Sequence, residues 1–444
     1  MNSKTIIVVS LTLIITILAP TIAHGTRGPT FTNIVLLRPD GNSEPELSIG
    51  QNGQVGLVAL SWTLFQTNAW EGAFGQTPVF QGAIDSMIQT GVGGGEDADI
   101  DFGSTGTVHV TTLLAVFNPQ TKVTQLGVSA ITCPNGNLSN NFSNCTRQIL
   151  DFTQADRSWV TSDGLHVWIS YHDSGSSTTI HVWRSDDDGF TWQRVGDPIA
   201  GQAGTTSNST FDNAQGKITA DSVTHNVYTI WAGGAGGLQK AKTANFNNIY
   251  VAGSSDLGKS WTSHLVFSAP VNQPLNNIFP VLAADPLTGT LYASWSNLQN
   301  VFISKSTDQG STWSSPVAVA SASVNTALEP WVAVRGQTVD VTYYGTSSST
   351  NTDPSAVWNT YLSQSTDGAA HFTQFTVSAH PNHVGVVCTG GISCRPGTRN
   401  LLDLFQVAID PVNGLAAVIF TDDTLTTTSN GSPLPQVIVA YQTS

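Results

Sequence analysis

Acidic or amide residues open seven apolar segments of this chain, and they are the first candidates for chemistry. They are Glu44 (EPELSIG), Asp97 (DADIDFG), Asp156 (DRSWVTSDG), Asp212 (DNAQGKITAD), Asn277 (NIFPVLAADP), Glu329 (EPWVAVRG) and Asp403 (DLFQVAID), at spacings of 53, 59, 56, 65, 52 and 74 residues. Aromatic residues end the segments that return from them: Trp62, Tyr171, Trp231, Trp295, Tyr343 and Tyr344. Aromatic faces stack on the C–H surfaces of sugar rings, and carboxylates bond hydroxyls or move protons. That combination is what a saccharide site needs. Paired acids also run glycoside hydrolysis, at about 5–5.5 Å for retention and about 6.5–9.5 Å for inversion. The alternative for each acid is a hydrogen bond to N–H groups where its segment begins. For each aromatic the alternative is a place in the core. Glu96, Asp97, Asp99 and Asp101 form the densest acidic run. Alternate residues of a strand share a side, so Asp97, Asp99 and Asp101 are a candidate Ca2+ set, with a solvated turn as the alternative. Histidines show no metal-binding spacing.

The elements that must position these residues are strands. No window carries a 3.6-residue apolar period, and short β-runs alternate with Gly, Asn, Asp and Ser turns. Each of the seven copies opens as a short strand, turns, and returns as an apolar strand. A second pattern, S-x-D-x-G-x-[ST]-W, follows the third strand of several copies. It reads SDDDGFTW (Asp187, Gly189, Trp192), SSDLGKSW (Asp256, Gly258, Trp261) and STDQGSTW (Asp308, Gly310, Trp313). STDGAAHF is a degraded copy with Asp367, with Ala369 in the glycine position, and with Phe372 as the aromatic. The Ser and Asp side chains can bond N–H groups inside a tight turn, the Gly can adopt positive φ, and the aromatic can pack between sheets.

This frame resembles the Asp-box, or bacterial neuraminidase repeat, of the sialidase-like β-propellers. The resemblance implies an all-β fold with seven four-stranded blades; six blades, as in catalytic sialidases, is the alternative. The final copy ends at PQVIVAYQTS, one strand short, and Thr32–Leu37 is a spare strand ahead of the first copy. Pairing the two would close the ring and remove an exposed edge. In such a ring the Asp-boxes lie on the bottom, and their Asp residues are turn-formers. The acidic openings and the ends of the return strands gather at the top, including His172, Asp173, Asp422 and Asp423. The family's chemistry implies a Tyr nucleophile helped by a Glu, an Asp acid/base and three Arg that hold a sugar carboxylate. The positions that match best are Tyr343 with Glu329, Asp97, Arg157 and Arg399. Asp156, Asp212, Asp403, Trp62, Tyr171, Trp231, Trp295 and Tyr344 are then expected to bind ligand. The family's N-terminal Arg-Ile-Pro motif is absent, with Arg38-Pro39 its nearest echo, and no motif places a second or third Arg. Binding of an extracellular glycan or cell-surface protein is therefore the leading expectation. A glycoside hydrolase and a structural envelope component are the alternatives. No cofactor is required, and Ca2+ is an option.

The rest of the sequence bounds these readings. The 444 residues carry 16 Lys and Arg against 30 Asp and Glu, a formal charge of −14, which argues against nucleic acid and anionic lipid as partners. Residues 1–25 read as a signal peptide, with Lys4 before an apolar run from Ile6 to Leu18 and small residues at Ala19, Ala23 and Gly25. An uncleaved anchor is the alternative; no later stretch is apolar enough to span a bilayer. Residues 26–444 are then one exported propeller domain, secreted or at the cell surface. In an oxidising compartment the four cysteines pair locally, Cys133 with Cys145 and Cys388 with Cys394. A four-cysteine zinc site is the alternative, although neither pair has the usual spacing. Sequons at Asn137, Asn141 and Asn144 crowd the first loop, which is expected to be exposed.

Overall fold

In a computed structural model, residues 28–85, 92–118, 123–139, 142–153, 155–173, 179–199, 213–234, 246–270, 272–275 and 277–443 are described. Residues 1–25, read above as a signal peptide, and Asp212 lie outside them. Seven antiparallel sheets follow one another along the chain. Blade one is Asn42–Ile49, Gln54–Ser61, Thr67–Ala73 and Val79–Ala83, each strand paired with the next. The same meander repeats through blade six. In blade four the inner strand is broken into Asn213–Gln215 and Thr219–Asp221, both paired with Asn226–Gly233. Blade seven is Gln406–Ile409, Ala416–Asp422 and Gln436–Gln442, and its outer strand is Phe31–Leu36 from the opposite end of the chain. The fold is a seven-bladed β-propeller, closed as the spare strand predicts.

Both faces of a blade are covered by neighbours, and the strands read accordingly. In Gln54–Ser61 (QVGLVALS), Leu57 packs with Ile419, Val439 and Tyr441 of blade seven. Its neighbour Val58 packs with Ile100, Val110 and Leu114 of blade two. The strand alternation of side chains sends adjacent apolar residues to opposite blades. Burying each such side chain contributes about 1.5–3 kcal/mol.

The three S-x-D-x-G-x-[ST]-W segments fold alike. Ser185 Oγ donates to Asp187 Oδ1 at 2.8 Å and accepts from the Gly189 N–H at 2.8 Å. Asp187 Oδ1 accepts from Thr191 N at 2.7 Å, and the Trp192 indole N–H donates to the Gly189 carbonyl at 3.0 Å. Ser254–Trp261 and Ser306–Trp313 repeat every one of these bonds. The hydrogen bonds from Ser260 and from Thr312 hold Asp256 and Asp308 each down to about 2. The degraded copy keeps the turn: Ala369 takes φ 68°, and His371 supplies the bond to Asp367 that Ser or Thr supplies elsewhere.

Both disulfides are formed, Cys133–Cys145 and Cys388–Cys394. The Cys133–Cys145 loop differs from its expected exposure. Leu138 and Phe142 are buried in the core between blades one and two, and Glu71 accepts from the Leu138 N–H at 3.0 Å. The sequons suggest a polar loop, but two apolar residues anchor it. Asn144 is exposed and Asn137 is half-buried, while Asn141 lies outside the described residues.

Two predictions follow from this packing. Gly189 has φ 88°, and a Cβ there would sit 2.4 Å from Thr132 Oγ1 in blade two. Gly164, at φ 59°, has nothing within 4 Å. Denaturant unfolding should show Gly189→Ala losing about 2–4 kcal/mol and Gly164→Ala only about 1–2 kcal/mol. Asp340 is fully buried, and that burial, opposed by the Gln364 hydrogen bond, pushes its carboxyl up to about 7. Its folded pKa exceeds its unfolded value, so its contribution is full below about pH 4 and is lost as pH rises to 7. Asp340→Asn lacks that loss. Its stability relative to wild type should rise by about 2–4 kcal/mol between pH 4 and pH 7 and level off above.

Candidate functional site

One backbone device recurs where the inner strands begin. In blade one the pairing steps from Ser43–Leu60 to Glu46–Val58, three residues against two. The same bulge falls between Glu96 and Asp99, between Asp156 and Trp159, and between Leu328 and Trp331. In each, the first bulged residue is left-handed: Glu44 (φ 49°), Asp97 (41°), Arg157 (54°) and Glu329 (55°). Leu402 (57°) precedes Asp403 in blade seven. Non-glycine residues pay of order 1 kcal/mol or more for this region, and such outliers gather at functional sites. The bulge turns four charged side chains out of the strand alternation at one end of the ring.

These residues surround a cavity of about 310 Å³ lined by Glu44, Trp62, Phe65, Asp97, Asp156, Arg399, Leu402 and Asp403, among others. Arg399 grips Asp403 with two bonds, Nε to Oδ1 at 3.1 Å and Nη2 to Oδ2 at 2.5 Å. The Asp403 N–H donates to Glu44 Oε1 at 3.3 Å, and the Arg157 N–H donates to Asp97 Oδ2 at 3.0 Å. Burial disfavours the charge on Arg157, but Asp156, Asp403 and Asp97 outweigh it. Burial pushes Asp97 well up, and the like charges of Glu44, Asp156 and Asp403 add to this. Burial also opposes ionisation of Asp156. There Arg157 prevails, aided by a hydrogen bond from Asp97, and the pKa falls below the usual range. Burial and its neighbours thus shift Asp97 and Asp156 in opposite directions. His172 stands opposite Asp156 in the sheet, and burial and Arg157 push it down to about 4, so it is neutral.

Deeper along the same strands the channel is plugged. Lys217 of blade four donates to Asp99 of blade two at 2.6 Å, and its ammonium lies 5.9 Å from the centre of the Trp331 ring of blade six. Burial disfavours its charge, but Asp99 and Glu46 outweigh that and keep it protonated. Glu46 is fully buried, and burial and Asp99 push its carboxyl well up.

The expected site residues divide by where the bulges and the strand alternation place them. Glu44, Asp97, Asp156, Asp403, Arg399 and Trp62 line the cavity, and Arg157 lies against it. Tyr343 does not meet Glu329. Its hydroxyl donates to Gln374 Oε1 at 2.6 Å and sits 3.0 Å from Ser363 Oγ, in the outer part of its own blade. Tyr344 is the one turned toward Glu329, but it stacks on Phe405 with ring centres 4.3 Å apart, and its hydroxyl accepts from Thr421 N at 3.0 Å. Tyr171, Trp231 and Trp295 are core residues. Tyr171 donates to Asp151, Trp231 stacks on Tyr250, and Trp295 on Phe267. Positions inside a second strand face a neighbouring blade. Trp62 reaches the mouth because it lies one residue past the end of its strand at Ser61. Asp97, Asp99 and Asp101, the candidate Ca2+ set, are engaged across the blade boundary. Each bonds blade three: Asp97 the Arg157 N–H, Asp99 the Val160 N–H, Asp101 the Ser162 hydroxyl. No cluster of three or more metal-ligating residues occurs among the described residues.

Sequence reasoning missed three participants. Lys217 lies inside the fourth opening segment, DNAQGKITAD, between the two pieces of the broken inner strand, and only its acidic first residue attracted notice. Leu402 is apolar. Phe65, left-handed at φ 51° and 57% exposed, sits in a hairpin that looks like an ordinary turn. Its proximity to Trp62 was the available signal.

No family model matches the sequence, and no curated protein matches it. Among solved structures, an ulvan lyase of polysaccharide lyase family PL25 superposes with a TM-score of 0.52 at 10% identity, covering 89% of this chain and 93% of that one. A protein of unknown function from Dyadobacter fermentans gives 0.49 at 13% identity over 93% and 98%. A GH93 α-L-arabinofuranosidase of Fusarium graminearum gives 0.47 at 13% identity over 70% and 92%. At these identities the likeness is one of fold.

The plug has a direct test. Lys217→Met leaves Asp99 and Glu46 facing each other in the channel without a cation. Chemical unfolding should show a loss of about 3–5 kcal/mol. Combining it with Asp99→Asn should recover part of that loss.

Proposed function

We propose that this protein is an exported propeller of the Asp-box type that binds a saccharide at its axial mouth without cleaving it. The observation that carries this reading is the cavity where Trp62 and Phe65 stand over hydrogen-bonding carboxyls. One wall suits the apolar face of a sugar ring and the floor suits its hydroxyls. The repeated S-x-D-x-G-x-[ST]-W turns support the Asp-box assignment. The leader-like residues 1–25 and two disulfides support export, to the medium or the cell surface. No helix among the described residues is long and apolar enough to cross a membrane.

The sialidase-type alternative has less support. Arg399 already grips Asp403 with two bonds, and it is the one arginine among the residues that line the cavity, where a sialidase-type clamp calls for three. One observation favours a hydrolase of another kind: Asp97 is driven toward its acid form and Asp156 toward its base form, as acid/base pairs are. The Arg157 N–H bond to Asp97 Oδ2 at 3.0 Å counts against it, because the protein's own backbone already occupies that oxygen.

A glycan array and a panel of sialoside and neutral aryl-glycoside substrates separate these readings. Wild-type protein should be retained on the array and release no fluorophore. Trp62→Ala should weaken retention about tenfold or more while unfolding at the wild-type temperature. Fluorophore release, or no retention of any glycan, would overturn the binding reading.

A further inference from the structure

The segment that brings Arg399, Leu402 and Asp403 to the cavity is closed by a disulfide of its own. It leaves blade six where His383–Val384 pairs with Val357–Ser365, and it enters blade seven at Gln406. At its first end the Gly385 N–H donates to the Ala356 carbonyl at 2.8 Å, and the Val387 N–H donates to the Asn351 carbonyl at 3.0 Å. At its last end Leu401 and Leu404 are buried in the main core. Between these anchors the chain ties to itself. The Cys388–Cys394 bond, and the Cys388 N–H bond to the Thr398 carbonyl at 2.7 Å, draw residues 388–398 into one loop. Among the described residues, the hydrogen bonds of this loop all join members of the loop. Arg395, Pro396 and Gly397 are exposed, and a Cβ on Gly391 or Gly397 would meet nothing within 4 Å. Arg399 follows directly on the Thr398 carbonyl that closes the loop.

The two disulfides differ in access. Cys133 is 0% and Cys145 9% exposed, packed with Leu138 and Phe142 between blades one and two. Cys388 and Cys394 are half-buried, beside the exposed Ser393 and Arg395. Exchange needs a thiolate to reach a sulfur atom, so the accessible bond exchanges first.

We infer that Cys388–Cys394 is a reducible clasp on the mouth. A dithiol reductant supplies two electrons and two protons. The S–S bond breaks, Cys388 and Cys394 become thiols, and the reductant closes to its own disulfide. The opened loop regains the conformational freedom that the bond removes. Freedom at Thr398 passes to Arg399, whose two bonds to Asp403 shape one wall of the cavity. The blades keep their packing, because Leu401, Leu404 and the bonds to blade six do not involve the disulfide. The effect on a ligand rests on the saccharide reading above; the loosening of the segment does not.

Dithiothreitol treatment of the native protein, followed by iodoacetamide and peptide mass analysis, tests the access. Cys388 and Cys394 should be alkylated about tenfold or more faster than Cys133 and Cys145. Hydrogen exchange of residues 395–404 should then quicken about tenfold or more, while Leu291–Ser296 of blade five exchanges as before. On the glycan array the reduced protein should be retained about three- to tenfold more weakly and should recover on reoxidation. The double variant Cys388→Ser with Cys394→Ser should match the reduced protein in exchange and in retention with no reductant present. Equal labelling of the two cysteine pairs overturns the clasp. Unchanged exchange at 395–404, or unchanged retention despite quicker exchange, overturns its hold on the mouth. If the oxidised protein is retained by no glycan, the saccharide reading falls, and the labelling and exchange results still decide the clasp.

Discussion

Hydrogen bonds between neighbouring inner strands are the constraint on which the rest of this structure depends. Antiparallel pairing holds each blade together, but across blades it gives little more than the single bridge between Leu298 and Ala327 among the described residues. Apolar packing joins the blades without fixing their register. The inner strands are tied by side chains instead. Gln406 accepts from the Leu47 N–H, Ser48 from the Phe102 N–H, Asp99 from the Val160 N–H and Thr161 from the Ala220 N–H. Thr219 donates to the Leu282 carbonyl, and Asp285 accepts from the Gly336 N–H. Each bond satisfies a backbone group of one blade with a side chain of its neighbour. The outermost pairing, Phe31–Leu36 against Gln436–Gln442, then holds the ring shut.

That constraint explains why the axial acids are so tightly engaged. The same strands that must be stitched also carry the carboxylates toward the mouth. Asp97 serves both ends, accepting from Arg157 while lining the cavity. Arg399 is engaged in the same way, by two bonds to Asp403. Farther along the same strands Lys217 pairs with Asp99 at 2.6 Å, so the inner acids are matched by a cation. A site built from structural residues is rigid, and that suits recognition.

The fold was largely legible because its signals are local. The S-x-D-x-G-x-[ST]-W turn is closed by its own side chains, so three copies at blade-like spacing identify the architecture without any long-range contact. The missing strand after PQVIVAYQTS and the spare one at Thr32–Leu37 made closure readable from the chain ends. The site was less legible. The acidic openings were readable as a class, and Glu44, Asp97, Asp156 and Asp403 do meet. The aromatics were not, because Tyr171, Trp231, Trp295 and Tyr343 look the same in sequence as Trp62. Sequence does not show which residue lies one step past a strand end, nor where a bulge reverses the alternation.

By itself the sequence determined the repeat, the all-β blades, the ring closure, the disulfide pairs and the end of the ring where acids collect. These follow from periodicity, turn chemistry and short spacings, all read along the chain. Only the tertiary structure decided which acids line the cavity, which aromatic stands at its mouth and which cation meets the inner acids. Those outcomes depend on burial and on charges brought together from blades far apart in sequence. Lys217 and Asp99 are 118 residues apart. Glu44 and Asp403 are 359 apart and touch because the ring closes.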